Sequence, residues 1–209
     1  MWSRILFWLL ASGGCAAFLW LVVVRAAFQI AGERCPFALA WLVEHPIRRR
    51  YLRHVLDRVG ILAGERVLEL GPGPGAFTIE AAHRVGLAGT LVTVDVEPRM
   101  IAAVEKKVCA AGLSNVQMHV ASADQLPLED ASIDRAFLIT VLPEVTDRPR
   151  ALAELRRVLK AGGVLSVTEE FLDPHYPRMQ RTLLWAEAAG FRLVQRHGNW
   201  WVYTLNFST

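Results

Sequence analysis

The chain has 209 residues, enough for one domain of ordinary size with an appendage and short for two full domains. Hydrophobic residues make up 53% and charged residues 21%, so a large core can be buried, and three scattered cysteines (Cys15, Cys35, Cys109) argue against a disulfide framework or a zinc site, so no metal is expected. The net charge of +3 is local: residues 1–60 carry eight arginines against Glu33, Glu44 and Asp57, a net +5, leaving −2 for residues 61–209, and without a reading motif in the basic stretch no nucleic-acid partner is expected.

Residues 5–24, ILFWLLASGGCAAFLWLVVV, form an uncharged run between Arg4 and Arg25, the length that crosses a hydrocarbon core as a helix. A cleaved signal peptide usually ends its apolar core after about 7–15 residues, whereas this run continues past its small-residue stretch. We therefore expect a transmembrane anchor over residues 1–30. Most arginines of the N-terminal part follow the span, which predicts a single-pass protein with its C-terminal portion in the cytoplasm. Gly13 and Ala17 form a small-xxx-small pair that could bring two such helices together as a weak homodimer.

Residues 31–60 read as a basic juxtamembrane or lid segment. Pro36 and Pro46 break it, Trp41 suits headgroup depth, and a basic helical pattern runs over 47–59. That helix could lie on an anionic bilayer, or pack Ile47, Tyr51, Val55 and Leu56 on the domain.

From residue 61 to 209 short β-branched runs alternate with helical ones. The predicted strands are 66–70, 90–95, 116–120, 135–140, 164–169, 192–195 and 201–207. Helical spacing covers 76–84, 98–111, 148–159 and 178–189, and KAGG after the third reads as a helix stop. Such alternation predicts an α/β fold with a mainly parallel sheet covered on both faces. The last two strands have no helix between them, which predicts an antiparallel hairpin at one edge.

The first strand runs into VLELGPGPGAFT. Gly71, Gly73 and Gly75 sit where missing side chains let a ligand approach the backbone on the way into a helix. Gly71, Gly73 and Ala76 satisfy the relaxed dinucleotide fingerprint, so a nicotinamide oxidoreductase has to be weighed. Pro72 and Pro74, however, remove two N–H donors from any pyrophosphate cradle, and Glu69 adds a negative charge beside it. A carboxylate there suits a cation, and S-adenosylmethionine carries an ammonium and a sulfonium but no phosphate. Asp95, with Val96 beside it, ends the second strand 24 residues after Gly71, where a carboxylate can accept from both ribose hydroxyls. Helix capping before Pro98 is its structural alternative. In the loop SADQLPLEDASID, Ala123 and Asp124 could meet an adenine edge and Leu126 its face.

VLELGPGPG, VDVEPRM, ADQLPLEDASIDRAFL and LAELRRVLKAGGVLSVTEE, in this order and spacing, resemble the class I S-adenosylmethionine-dependent methyltransferases, most closely the small type 11 group that includes quinone and sterol methylating enzymes. The resemblance covers residues 47–209. It implies a Rossmann-like seven-stranded sheet with an antiparallel last strand. It also implies that Glu69 and the backbone of Gly71 and Gly73 hold the methionine part of the cofactor, Asp95 the ribose, and the Ala123–Asp124 region the adenine. Many relatives place an acid one residue before Ala123, where this chain has Ser122, so the adenine contacts depart from the pattern.

In-line attack on a sulfonium methyl neutralises charge, so positioning and desolvation can supply most of the catalysis. A general base is needed where the acceptor must lose a proton. Glu144 in TVLPEV, and His175 and Tyr176 in DPHYP, lie where loops leave the carboxyl ends of strands and are the candidates; a helix-start acid and ordinary loop residues are their structural alternatives. A tether and a basic flank raise the local concentration of lipid-phase molecules, so a lipophilic acceptor at the bilayer is expected: a quinone precursor, a phospholipid amine or a hydrophobic thiol. A membrane-anchored regulator that binds S-adenosylmethionine without turnover is the alternative.

Overall fold

The computed structural model describes residues 45, 48, 50 and 52–209. The expected membrane span, the Gly13–Ala17 pair and most of the juxtamembrane segment lie outside these residues. Among the described residues no helix is long and apolar enough to cross a membrane.

The described chain runs α1 (Val55–Val59), β1 (Arg66–Leu70), α2 (Thr78–Val85), β2 (Thr90–Asp95), α3 (Pro98–Ala110), β3 (Val116–Val120), β4 (Ile133–Ile139), α4 (Arg148–Val158), β5 (Leu159–Glu170), α5 (Met179–Ala188), β6 (Arg192–Gly198) and β7 (Val202–Ser208). The seven strands form one sheet in the order β3-β2-β1-β4-β5-β7-β6. The first five are parallel, and β7 runs antiparallel to both β5 and β6. The hairpin expected at the edge is there, with the last strand inserted inside it and β6 outermost.

Strand alternation explains the two layers of core. Val67, Leu91 and Phe137 face one side, where they pack with Leu52, Val55, Leu56 and Val59 of the α1 region and Ala81 and Val85 of α2. Leu68, Val92 and Leu138 face the other, against Leu152 and Leu155 of α4. Val55 and Leu56 thus pack on the domain, the second of the two readings of the basic helix. His54 instead points to solvent and pairs with Asp57.

The junction of α4 and β5 differs from expectation. α4 stops at Val158, and KAGG belongs to β5, which pairs with Ile133 at Leu159 and resumes at Val164 after a register shift. Gly162 takes a left-handed φ of 76° there, and a side chain on Gly163 would meet the Lys160 and Asp134 carbonyls, so both glycines serve a bulge rather than a helix cap. The N-cap of α3 is Glu97, whose carboxylate accepts from the Arg99 N–H, so Asp95 is not a capping acid.

Candidate functional site

The sheet order reverses between β1 and β4, and the carboxyl ends of β1, β2, β4 and β5 open together at that crevice, the place where such sheets take ligands. Gly71, Gly73 and Gly75 all have positive φ, at 69°, 54° and 86°. At Gly71 a side chain would also collide with Val141, which follows β4.

The amides of this loop are already committed. Gly71 N–H donates to the Val94 carbonyl and Gly75 N–H to the Pro72 carbonyl, while Gly73 N–H donates to Asp95 Oδ2 at 3.3 Å. With Pro72 and Pro74 contributing none, the loop has no spare N–H between residues 71 and 75 for a pyrophosphate. The carbonyls of Gly71 and Gly73, by contrast, accept no hydrogen bond among the described residues. The backbone here is an acceptor surface. Lys107 of α3, a residue that periodicity placed only on a helix, donates from Nζ to the Pro74 carbonyl at 2.6 Å and pins the loop from below.

Glu69 lies directly under this surface and is 3% exposed. Thr78, the first residue of α2, donates to its Oε2 at 2.7 Å. Burial pushes the Glu69 carboxyl up to about 8, against the lowering effect of Thr78 and with a further rise from Asp95. Asp95 is raised too, chiefly by burial, although it accepts from the Glu97 and Gly73 amides. One buried and one half-buried carboxyl facing a loop of carbonyls leave a crevice short of positive charge, which fits an ammonium- and sulfonium-bearing ligand. Val96, beside Asp95, is exposed, and Ala123 packs on the core edge next to buried Leu126.

Two residues that sequence reasoning missed hold the loop over residues 122–128. Glu154 Oε2 accepts from the Leu126 N–H at 2.9 Å, and Arg157 donates to the Leu126 and Leu128 carbonyls at 3.1 and 2.8 Å while pairing with Glu154 and Asp130. Both stand three residues apart on α4, so only an unusual i,i+3 charge pair on its loop-facing side marked them in advance.

Across the crevice, the ends of β4 and β5 bring Glu144 and His175 together. Glu144 ends a 3₁₀ turn, Leu142–Glu144, whose carbonyls at 142 and 143 accept from Arg148; the helix cap that follows is Asp147, so Glu144 is not the capping acid. His175 Nδ1 is 3.6 Å from Glu144 Oε1 and 3.8 Å from Asp173 Oδ1. Asp173, raised to about 6 mainly by burial, also accepts from the His175 N–H at 2.7 Å. Tyr176 is placed differently: its hydroxyl donates to the Trp200 carbonyl and its ring packs edge-on to Phe171. That bond commits its proton to the fold.

Thr140, at the end of β4, holds a φ of 57°, which is rare for a β-branched residue and characteristic of constrained sites. Its amide donates to the Thr168 carbonyl, and Arg48 donates to its Oγ1 at 3.2 Å and to Glu170 at 2.5 Å. An apolar rim borders this end: Trp201 stacks on Phe171, and Trp200 and Leu172 are 66% and 48% exposed. Tyr203, by contrast, is fully buried core.

Residues 68–167 match the family described as a methyltransferase domain. The chain carries a methyltransferase domain over these residues. It is 34% identical over 129 residues to the ubiquinone/menaquinone biosynthesis C-methyltransferase UbiE of Marinomonas sp., covering 61% of this chain and 51% of that one. To the UbiE of Cronobacter sakazakii it is 32% identical over 158 residues, 75% of this chain and 61% of the relative. The chain thus spans about half to three-fifths of the length of these relatives. A crystal structure of an S-adenosylmethionine-dependent methyltransferase from Aquifex aeolicus superposes with a TM-score of 0.77 at 23% identity, covering 83% of this chain and 98% of that one, a likeness of fold. The cofactor of the domain is S-adenosylmethionine, and the acceptor-only loop over Glu69 suits it.

Proposed function

We propose that the protein methylates a small lipophilic acceptor of the quinone-precursor class at a bilayer surface. What carries this reading is the pairing, in one crevice, of a carbonyl-and-carboxylate cradle at β1 and β2 with a polar pair at β4 and β5 rimmed by exposed Trp200 and Leu172. The likeness to quinone C-methyltransferases supports the acceptor class.

When bound, S-adenosylmethionine supplies an electrophilic methyl on a positively charged sulfur. Glu69 and the Gly71 and Gly73 carbonyls receive the ammonium of its amino-acid part, and the bare Gly75 turn lets that part approach closely. Asp95 accepts from the ribose hydroxyls next to Val96, and Ala123, Asp124 and Leu126 border the adenine. Glu144 and His175 take the hydroxyl proton of the acceptor: a phenol oxygen, or the ring carbon it activates, becomes a far better nucleophile once that proton is removed in a low-dielectric crevice, and in carbon methylation the displaced ring proton leaves after the new C–C bond forms. Tyr176 acts through Trp200, holding the apolar rim in place. Residues 1–30 anchor the chain with residues 61–209 in the cytoplasm, and 31–60 orient the crevice toward lipid.

The test is incubation of the full-length, detergent-purified protein with isotopically labelled S-adenosylmethionine and a membrane lipid extract, followed by mass spectrometry. A quinone-type lipid gaining one labelled methyl supports the reading. S-adenosylhomocysteine binding without any methylated product would replace it with the regulator reading.

A further inference from the structure

Beyond the cradle and the acceptor pair, the ends of β4 and β5 gather more acid than methyl transfer needs. Glu144, Asp173 and His175 offer one ligand atom each, all within 4.8 Å of one another. Their side chains are 19%, 14% and 10% exposed, so they line a recess rather than a surface. Bonds of about 2.0–2.2 Å to a tetrahedral ion set ligand atoms about 3.4 Å apart. The observed 3.6 and 3.8 Å separations from His175 Nδ1 are within a few tenths of an ångström of that.

A second observation points the same way. Glu169 is completely buried, neither of its carboxylate oxygens has a hydrogen-bond partner among the described residues, and the charges of Asp173 and Glu144 act on it most strongly after burial itself. A buried carboxyl left without a donor is costly and rare in a native fold. Glu170 Oε2, on the next residue, is likewise without a donor. Arg48 faces this group from the segment before α1, where it serves Glu170 Oε1 and Thr140. Among the described residues no donor reaches the Glu169 carboxylate.

We propose that Glu144, Asp173 and His175 bind a first-row divalent metal ion. Two carboxylates and one imidazole are a borderline donor set suited to manganese, iron or zinc. Three protein ligands leave open positions, and a water held in one would supply the donor that Glu169 lacks, the usual relation of a ligand shell to the carboxylate behind it. A hydroxyl of an acceptor in another open position would be acidified by coordination, so that in the loaded protein the ion takes over the work assigned above to the Glu144–His175 pair. The ligands stand at 144, 173 and 175, with no compact motif along the chain; the β4–β5 pairing alone brings them together.

Mn²⁺ binding to the full-length, chelator-stripped protein tests this by calorimetry, without acceptor or turnover. One saturable site is expected, weakened at least tenfold in Asp173→Asn and His175→Asn, with S-adenosylhomocysteine affinity retained in both. His54→Asn, on the exposed α1 side, should leave Mn²⁺ affinity unchanged. Selective paramagnetic broadening of the His175 ring resonances by Mn²⁺ reads the same site in native protein, should either variant fail to fold. Absence of saturable binding, or equal binding by the native and substituted proteins, overturns the proposal. The methyl-transfer reading fails separately: metal binding with no methylated product rejects that reading alone, and methyl transfer that persists in protein that binds no Mn²⁺ rejects the metal site alone.

Discussion

Glu69 makes cofactor affinity depend on pH. Its carboxyl titrates at about 8 in the free protein because burial, helped by the like charge of Asp95, outweighs the lowering effect of the Thr78 hydroxyl. At pH 7 roughly nine molecules in ten therefore hold the proton. An ammonium brought onto the loop favours the ionised form, so binding expels that proton. Below pH 8 each unit of acidification should weaken S-adenosylhomocysteine about tenfold, or about 1.4 kcal/mol. Between pH 6 and 7 calorimetry should show this slope, and titrations in buffers of different ionisation enthalpy should show close to one proton released per ligand. Glu69→Gln should bind weakly and without the slope. Folding responds with the opposite sign to the usual acid: from the ordinary 4.5 up to about 8 the folded chain keeps a proton that the unfolded chain has lost. Stability should therefore fall as pH rises through that window and level off above it, and Glu69→Gln should remove that dependence. A flat affinity with no proton release would falsify the placement of the ammonium over Glu69.

Asp95→Ala should weaken S-adenosylhomocysteine by more than about 1 kcal/mol, since two charge-assisted bonds to the ribose and the acceptor of the Gly73 amide go together; unchanged calorimetric affinity in a folded variant would refute the role. Gly71→Ala should lower stability by about 1–2 kcal/mol from its left-handed backbone alone. Adding Val141→Ala should recover only the part due to the collision, measured by denaturant titration. Arg157→Ala removes the two carbonyl contacts and the Glu154 pairing that hold the 122–128 loop, so hydrogen exchange there should accelerate and S-adenosylhomocysteine affinity fall several-fold, while exchange in β1 and β2 stays protected. Deleting residues 1–30 should leave S-adenosylhomocysteine affinity intact and lower turnover on vesicle-borne acceptors; equal activity on vesicles would remove the membrane argument.

The amino-acid sequence by itself determined the alternation of elements, because strand and helix periodicities are local: β1, β2 and β3 run over the residues that pattern alone marks. It also determined the bare turn and the acids beside it, since glycine, proline and a strand-end Asp have local conformational meanings. Helix and strand ends were less legible where tertiary contacts outweigh propensity, as at KAGG, which pairing with β4 draws into a strand. Only the tertiary structure decided how the loop's polarity is used, because the partners of its amides come from β2 and from the turn itself. It alone separated Tyr176, bonded to Trp200, from its neighbour His175, gathered with Glu144 and Asp173. The same holds for Glu169, which along the chain is one of two acids ending an apolar run. The strongest charges acting on it come from residues 4 and 25 positions away, and a tertiary gathering of that kind leaves no periodic mark in a sequence.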